Sequence, residues 1–220
     1  MNSFDKVEKI IGYSFKNKNL LKNAFIHSSY ANESSIESNE RLEFLGDSVL
    51  ELICTEELFN AFDLPEGKMT KYRASLVSES TLAFVINELK LHEYLIRGKG
   101  ESKSKVTSAE KCDLYEAIIG ALYLDGGIAV AKRFFDKTHG QLIGKLKTEG
   151  YEDNAKNVLQ EMMPKERIVY STTKHGEDHN PTYKCTIIIA GVNMGYGEGT
   201  NKRSAEQMAA KNTINMIKKA

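Results

Sequence analysis

Apolar residues return along this chain at two different periods, and the change of period divides it. From Phe4 to about Gly144 they recur every three or four residues, the spacing of a buried helix face. Polar or glycine-containing breaks fall at Asn17, Glu33 to Asn39, Pro65 to Gly67 and Gly98 to Thr107. This stretch is predicted to be helical throughout. After the polar run Thr148 to Asp153 (TEGYED), the pattern predicts a short helix whose end, Val158 to Met163, precedes Pro164. Strands are then predicted over Ile168 to Thr172, Tyr183 to Ala190 and Val192 to Gly197, and a last helix from about Lys202 to Lys218. Ile187, Ile188 and Ile189 mark the central strand, and Ala205, Met208, Ala209 and Met216 are expected to pack the last helix on the sheet. The expected fold class is multi-domain: an all-α domain over residues 1–148, a linker at 149–152, and a small α+β domain of order α-β-β-β-α over 153–220.

Composition adds bounds. The 220 residues are 41% hydrophobic, enough for a core, and include three prolines and no tryptophan. No apolar run reaches the length of a membrane span and the start, Met1 to Ile10, is polar, so a cytoplasmic protein without membrane association is expected. Cys54, Cys112 and Cys185 are scattered, suggest neither a disulfide framework nor a zinc site, and read as small buried hydrophobes. The net charge is zero but unevenly spread: residues 153–220 carry ten Lys and Arg against seven Asp and Glu, so a weakly basic module follows an acidic one.

The acidic module holds the candidate chemistry. In Asn39 to Leu50 (NERLEFLGDSVL), Glu40, Glu43 and Asp47 fall within roughly 60° of one another on a helix, with Leu42, Leu45, Val49 and Leu52 expected on the opposite, core side. In Cys112 to Leu124 (CDLYEAIIGALYL), Asp113 and Glu116 share one face of an otherwise apolar helix, and Gly120 on the same stripe would let another helix approach closely. If the two helices cross, Glu43, Asp47, Asp113 and Glu116 meet, and four such carboxylates need cations to stay ionised. Hard divalent metal is the expected answer. His27, in NAFIHSSY, is expected to be a packing residue within a helix, and no Ser/His/Asp set, Walker loop or HExxH occurs.

NERLEFLGDSVL closely resembles the ribonuclease III signature motif. The likeness continues through Pro65 to Val77 (PEGKMTKYRASLV) and Asp113 to Gly127 (DLYEAIIGALYLDGG), in family order, and so spans the first domain. It implies Glu43, Asp47, Asp113 and Glu116 as catalytic metal ligands for Mg²⁺, with Mn²⁺ as substitute and no small-molecule cofactor. Glu40 and Glu66 match assisting acids. Two-metal hydrolysis needs no protein nucleophile, and the family leaves 5′-phosphate and 3′-hydroxyl ends with two-nucleotide 3′ overhangs, cut by a homodimer. Phe44, beside the acid stripe and off the expected core face, matches the position that reaches across that dimer.

The second unit resembles the double-stranded-RNA-binding domain in three pieces: NVLQE, HGEDHNPTYKCTIII and GEGTNKRSAEQMAA. The likeness implies that Gln160, Glu161 and His179 touch minor grooves, and that Lys202 and Arg203 at a helix N-terminus grip phosphate. Glu177, Thr200 and Asn201 depart from the pattern, so modest and salt-sensitive RNA affinity is expected. The rival class is a catalytically silent RNA-binding relative, which has no physical reason to retain four mutually repelling acids. A DNA nuclease is disfavoured because the second domain's contacts require A-form geometry and 2′-hydroxyls. Processing of ribosomal-RNA precursors and other structured transcripts is the role the likeness implies.

Overall fold

The computed structural model describes residues 3–101, 104–149, 155–176 and 181–218. They belong to two units, Met1–Gly150 and Tyr151–Ala220. The first consists of α1 (Ser3–Ile11), α2 (Lys18–Ala24), α3 (Ser28–Ser34), α4 (Glu40–Ala61), α5 (Glu66–Leu76), α6 (Glu79–Glu88), a 3-10 turn at Leu91–Tyr94, α7 (Ser108–Gly126) and α8 (Ile128–Glu149). The second runs α9 (Ala155–Met162), β1 (Ile168–His175), β2 (Thr182–Ile189), β3 (Val192–Gly199) and α10 (Lys202–Ile217). No helix among the described residues is long and apolar enough to cross a membrane.

Several helix starts follow from capping side chains. Asn17 accepts from the Asn19 N–H at 3.0 Å, and Ser78 from that of Thr81 at 3.3 Å. At α7, Thr107 and Glu110 form a reciprocal capping box. Helix α7 is the spine of the first unit: Leu114, Tyr115, Ala117, Ile118, Ile119, Ala121 and Leu122 are all fully buried. A fully buried Leu or Ile contributes roughly 1.5–3 kcal/mol, so this one helix supplies a large part of the unit's hydrophobic stabilisation.

Helix α4 departs from expectation in its core face. Leu42 and Val49 are buried, but Leu45 is only partly so and Leu52 is 61% exposed. The buried stripe is instead Gly46, Leu50, Ile53, Cys54 and Leu58. Leu50 and Cys54 stand seven residues after Glu43 and Asp47, so the acids share the core-facing stripe and occupy its first turns. The reason is Gly46. A Cβ there would overlap the Glu116 carbonyl, and one on Gly120 would overlap the Leu42 carbonyl, so α4 and α7 meet backbone to backbone.

The helical run also breaks where none was expected. Phe25 ends α2 in a turn and the chain then extends to His27: Ile26 forms an isolated parallel bridge with Ile96, the His27 N–H donates to the Ile96 carbonyl at 3.0 Å, and the Ile96 N–H donates to the Phe25 carbonyl at 2.8 Å. His27 therefore caps α3, accepting from the Ser29 N–H, and does not lie within a helix. Of the cysteines, Cys54 and Cys185 are buried and all three are free, but Cys112 is only partly buried.

In the second unit the sheet order is β1-β2-β3, antiparallel, with Tyr170 opposite Ile187 and Cys185 opposite Gly197. Ala190, expected to end the central strand, instead forms the β2–β3 turn with Gly191, both at positive φ. The face of α10 is also corrected. Ala205 and Ala209 are buried, but Met208 and Met216 are 47% and 55% exposed, and Ala210, Thr213 and Ile214 take their places. The cause lies in β3, where a Cβ on Gly195, Gly197 or Gly199 would overlap Thr213, Ala209 or Ser204. Helix and strand approach too closely for methionine.

Candidate metal centre and RNA-binding face

The Gly46–Gly120 crossing brings together the four acids singled out from the sequence. Glu43, Asp113 and Glu116 are partly buried, and Asp47 is exposed. Burial, and then repulsion by neighbouring acids, raises the proton affinities of Glu116 and Glu43. Burial, then Glu116's neighbours Asp47, Glu43 and Asp113, push its carboxyl up to about 7, against the opposing hydrogen bond from the Cys112 thiol. Glu43 is held above the usual carboxylate range by burial, then by Asp113, Glu40 and Asp47. Asp113 is raised by burial; the charge of His27 opposes this, while Glu110 and Glu79 add to it.

Among the described residues, no Lys, Arg or His stands within ion-pair distance of these four carboxylates. An all-oxygen donor set of this charge, with no ion-pair partner among the described residues, fits a hard divalent ion. Cys112 adds one soft atom at the margin, its thiol donating to Glu116 Oε1 at 3.7 Å. The side chains of Cys112, Asp113 and Glu116 could together ligate an ion.

Glu40 joins the cluster at its edge, exposed and accepting from the Ser38 hydroxyl at 2.8 Å. Glu66 is not brought to it. It accepts from the Thr70 hydroxyl at 2.9 Å and lines a cavity of about 200 Å³ with Thr55, Leu58, Phe59 and Arg73, none of them a cluster acid. Phe44 is 81% exposed and borders a groove of about 750 Å³ with Leu45 and Leu124. On the same outward stripe of α4, Leu52 and Phe59 are 61% and 72% exposed.

In the second unit, Lys202 and Arg203 are exposed in the first turn of α10. Asn201, a departure from the family pattern, performs the capping itself: its Oδ1 accepts from the Ser204 N–H at 2.8 Å. Gln160 and Glu161 are exposed on α9, while His179 and Glu177 lie outside the described residues. Sequence reasoning missed Glu206. It is buried, pairs with Lys156 at 2.6 Å, accepts from Thr172 at 3.3 Å and sits 4.0 Å from Lys202, linking α9, β1 and α10. Its position four residues after Lys202 was the available signal.

Comparison with known proteins agrees with this geometry. Residues 17–141 match the model described as "Ribonuclease-III-like", and residues 155–217 match the "Double-stranded RNA binding motif". The chain is 38% identical over 229 residues to a protein named Ribonuclease 3 from Listeria monocytogenes, covering 99% of each chain. It is 40% identical over 220 residues to that of Clostridium perfringens, covering 96% of this chain and 93% of the other. The solved nuclease domain of ribonuclease III from Campylobacter jejuni aligns at 37% identity and a TM-score of 0.58, covering 70% of this chain and all of that one. Dicer from Pichia stipitis, at 23% identity and a TM-score of 0.50 over 92% of this chain and 95% of that one, shares the fold. A helical nuclease fold followed by a double-stranded-RNA-binding module defines a class of endoribonuclease. The chain belongs to the ribonuclease III family.

Proposed function

We propose that this ribonuclease III hydrolyses double-stranded RNA in a divalent-metal-dependent reaction, with the catalytic domain in residues 1–148 and the RNA-binding domain in 153–220. The observation that carries this reading is the cluster Glu43, Asp47, Asp113 and Glu116, in which burial and repulsion by the other acids push Glu116 up to about 7, with no ion-pair partner among the described residues. These four side chains would hold Mg²⁺, with Mn²⁺ as substitute. Bound there, the ions supply Lewis-acid activation of water and neutralise charge at the departing 3′ oxygen.

The chain's own groups prepare for this. Glu116 would give up its proton on loading of the site, and the close α4–α7 crossing holds Asp113 and Glu116 beside Glu43 and Asp47 before any ligand arrives. Glu40 adds negative charge at the edge. In the second unit, the free N–H groups and dipole of α10 join Lys202 and Arg203 in holding phosphate, and Gln160, Glu161 and His179 face the minor grooves.

The exposed apolar stripe of Phe44, Leu52 and Phe59 supports a homodimer, since large apolar side chains aligned on one helix mark an interaction surface. One of the Campylobacter jejuni nuclease-domain structures is itself described by flexibility in a region involved in dimer formation. Two sites in a dimer would cut opposite strands, giving 5′-phosphate and 3′-hydroxyl ends with two-nucleotide 3′ overhangs. Processing of ribosomal-RNA precursors and other structured transcripts in the cytoplasm is the role the family resemblance implies.

The test incubates wild type and Glu116→Gln with an end-labelled RNA duplex in Mg²⁺ and in excess chelator, following both cleavage and gel-shift binding. Wild type is expected to cut only with metal, and Glu116→Gln to bind while losing at least about a hundredfold in rate. Binding without cleavage by wild type in every metal tried would make the chain a silent RNA-binding relative.

A further inference from the structure

The Gly46–Gly120 contact and the buried side chains from Leu114 to Leu122 hold the body of α7 in place. Asp113 and Glu116 lie toward the start of the helix, whose first turn stands outside that apolar packing. Glu110 is buried there, at 8% exposure, and its two oxygens do different work. Oε2 accepts from the Thr107 N–H at 2.7 Å and closes the capping box. Oε1 lies 2.8 Å from Arg97 Nε, an ion pair without hydrogen-bond alignment, with His27 Nε2 at 3.8 Å.

Arg97 is itself fixed. Its side chain is 7% exposed, and its terminal nitrogens donate to the carbonyl and the hydroxyl of Ser104, each at 2.8 Å. The residues beside it are tied to α3 and to the extended segment before it: the Gly98 N–H donates to the Ser29 hydroxyl at 2.9 Å, and Ile96 bridges Ile26. That same segment holds the start of α4, because the N–H of Asn39 donates to the Ile26 carbonyl at 2.8 Å. The two acid-bearing helices are thus referenced to one short stretch, Phe25 to His27, one through its backbone and the other through the Arg97–Glu110 pair. His27, Glu101 and Glu110 could by distance alone ligate an ion. The guanidinium already against Glu110 Oε1 makes a second cation there unfavourable.

We propose that Glu110 is a positioning residue for the metal centre: its ion pair with Arg97 anchors the first turn of α7, so that Asp113 and Glu116 face Glu43 and Asp47. This rests on the metal-dependent reading above. Glu110 contacts neither substrate nor the reacting atoms in this account, and acts through the helix that carries two of the four ligands.

The experiment titrates Mn²⁺ into the full-length protein and follows the free ion by electron paramagnetic resonance, with melting temperature and steady-state kinetics on an RNA duplex in parallel. Glu110→Gln keeps an acceptor for the Thr107 N–H and loses the ion pair. It is expected to bind Mn²⁺ about tenfold more weakly and to lose kcat with an unchanged KM for RNA. Thr107→Ala is the control, expected to lower the melting temperature while keeping Mn²⁺ affinity within about twofold, because the Arg97 pair remains. If Glu110→Gln fails to fold, Arg97→Gln, which removes the cation from the pair, decides by the same criterion. Wild-type Mn²⁺ affinity in the ion-pair variant, or equal weakening in Thr107→Ala, would overturn the proposal and leave the metal reading standing. Absence of Mn²⁺ binding by wild type would overturn both.

Discussion

Two titrating side chains of the first unit oppose each other in acid. His139 is fully buried between Tyr115 and the Leu76 carbonyl and stacks on Phe135; burial lowers its pKa from 6.5 to about 4. The unfolded chain therefore binds more protons than the folded one across that window. Stability from His139 is intact above pH 6.5 and is lost as pH falls toward 4, by up to about 3 kcal/mol in all. Glu116 has the opposite sign. Its folded pKa of about 7 exceeds the unfolded 4.5, so in metal-free protein its contribution is complete below pH 4.5 and is lost as pH rises through 7. Urea midpoints in chelator between pH 7 and 5 should thus be flatter for wild type than for either variant. His139→Gln should gain stability on acidification, and Glu116→Gln should lose it. Parallel curves for all three proteins would show that neither group titrates as its surroundings require.

At the scale of the helix, the centre depends on two residues that carry no chemistry. Replacing Gly120 or Gly46 by Ala places a methyl group onto a backbone carbonyl of the facing helix, which cannot rotate away as a side chain could. Each substitution is expected to cost about 3 kcal/mol by chemical denaturation, and to weaken Mn²⁺ binding in whatever folded protein remains. A Gly120→Ala protein of wild-type stability would mean that the helices are more loosely packed than described. Gly120 was legible in the sequence because it stands one turn beyond Glu116 on a stripe otherwise apolar and acidic. Gly46 was not, because the acids were given a face of α4 to themselves and the core was sought opposite them. That assumption also misplaced Leu52, and it failed because the acids and the core share one side of α4. The break at Phe25 to His27 was hidden for a similar reason: its extended form depends on Ile96, some seventy residues away. In the second unit, periodicity located every described strand and helix, but β3's three glycines decided which face of α10 turns inward, and Ala210, Thr213 and Ile214 took the places expected of Met208 and Met216.

For the molecule as a whole, the described residues of one chain supply one such cluster of four acids, and the proposed cutting of both strands of a duplex calls for a second copy. The surface suited to that copy is already marked, since Phe44 follows Glu43 directly and so couples the acid stripe to the outward apolar stripe of Leu52 and Phe59. A symmetric pair would present the same stripe from each side and remove all three side chains from water. Phe44→Asp should therefore separate the copies without unfolding them, because an 81% exposed side chain contributes little to its own unit's core. Sedimentation velocity is expected to give wild type at twice the chain mass of 24.7 kDa and Phe44→Asp near the single mass, with matching helical circular dichroism. On an RNA duplex the variant should lose paired, staggered cuts before it loses duplex binding, which belongs to the second unit. A wild-type chain that sediments as a monomer at micromolar concentration would remove the homodimer from the proposed mechanism and leave each acid cluster to cut one strand independently.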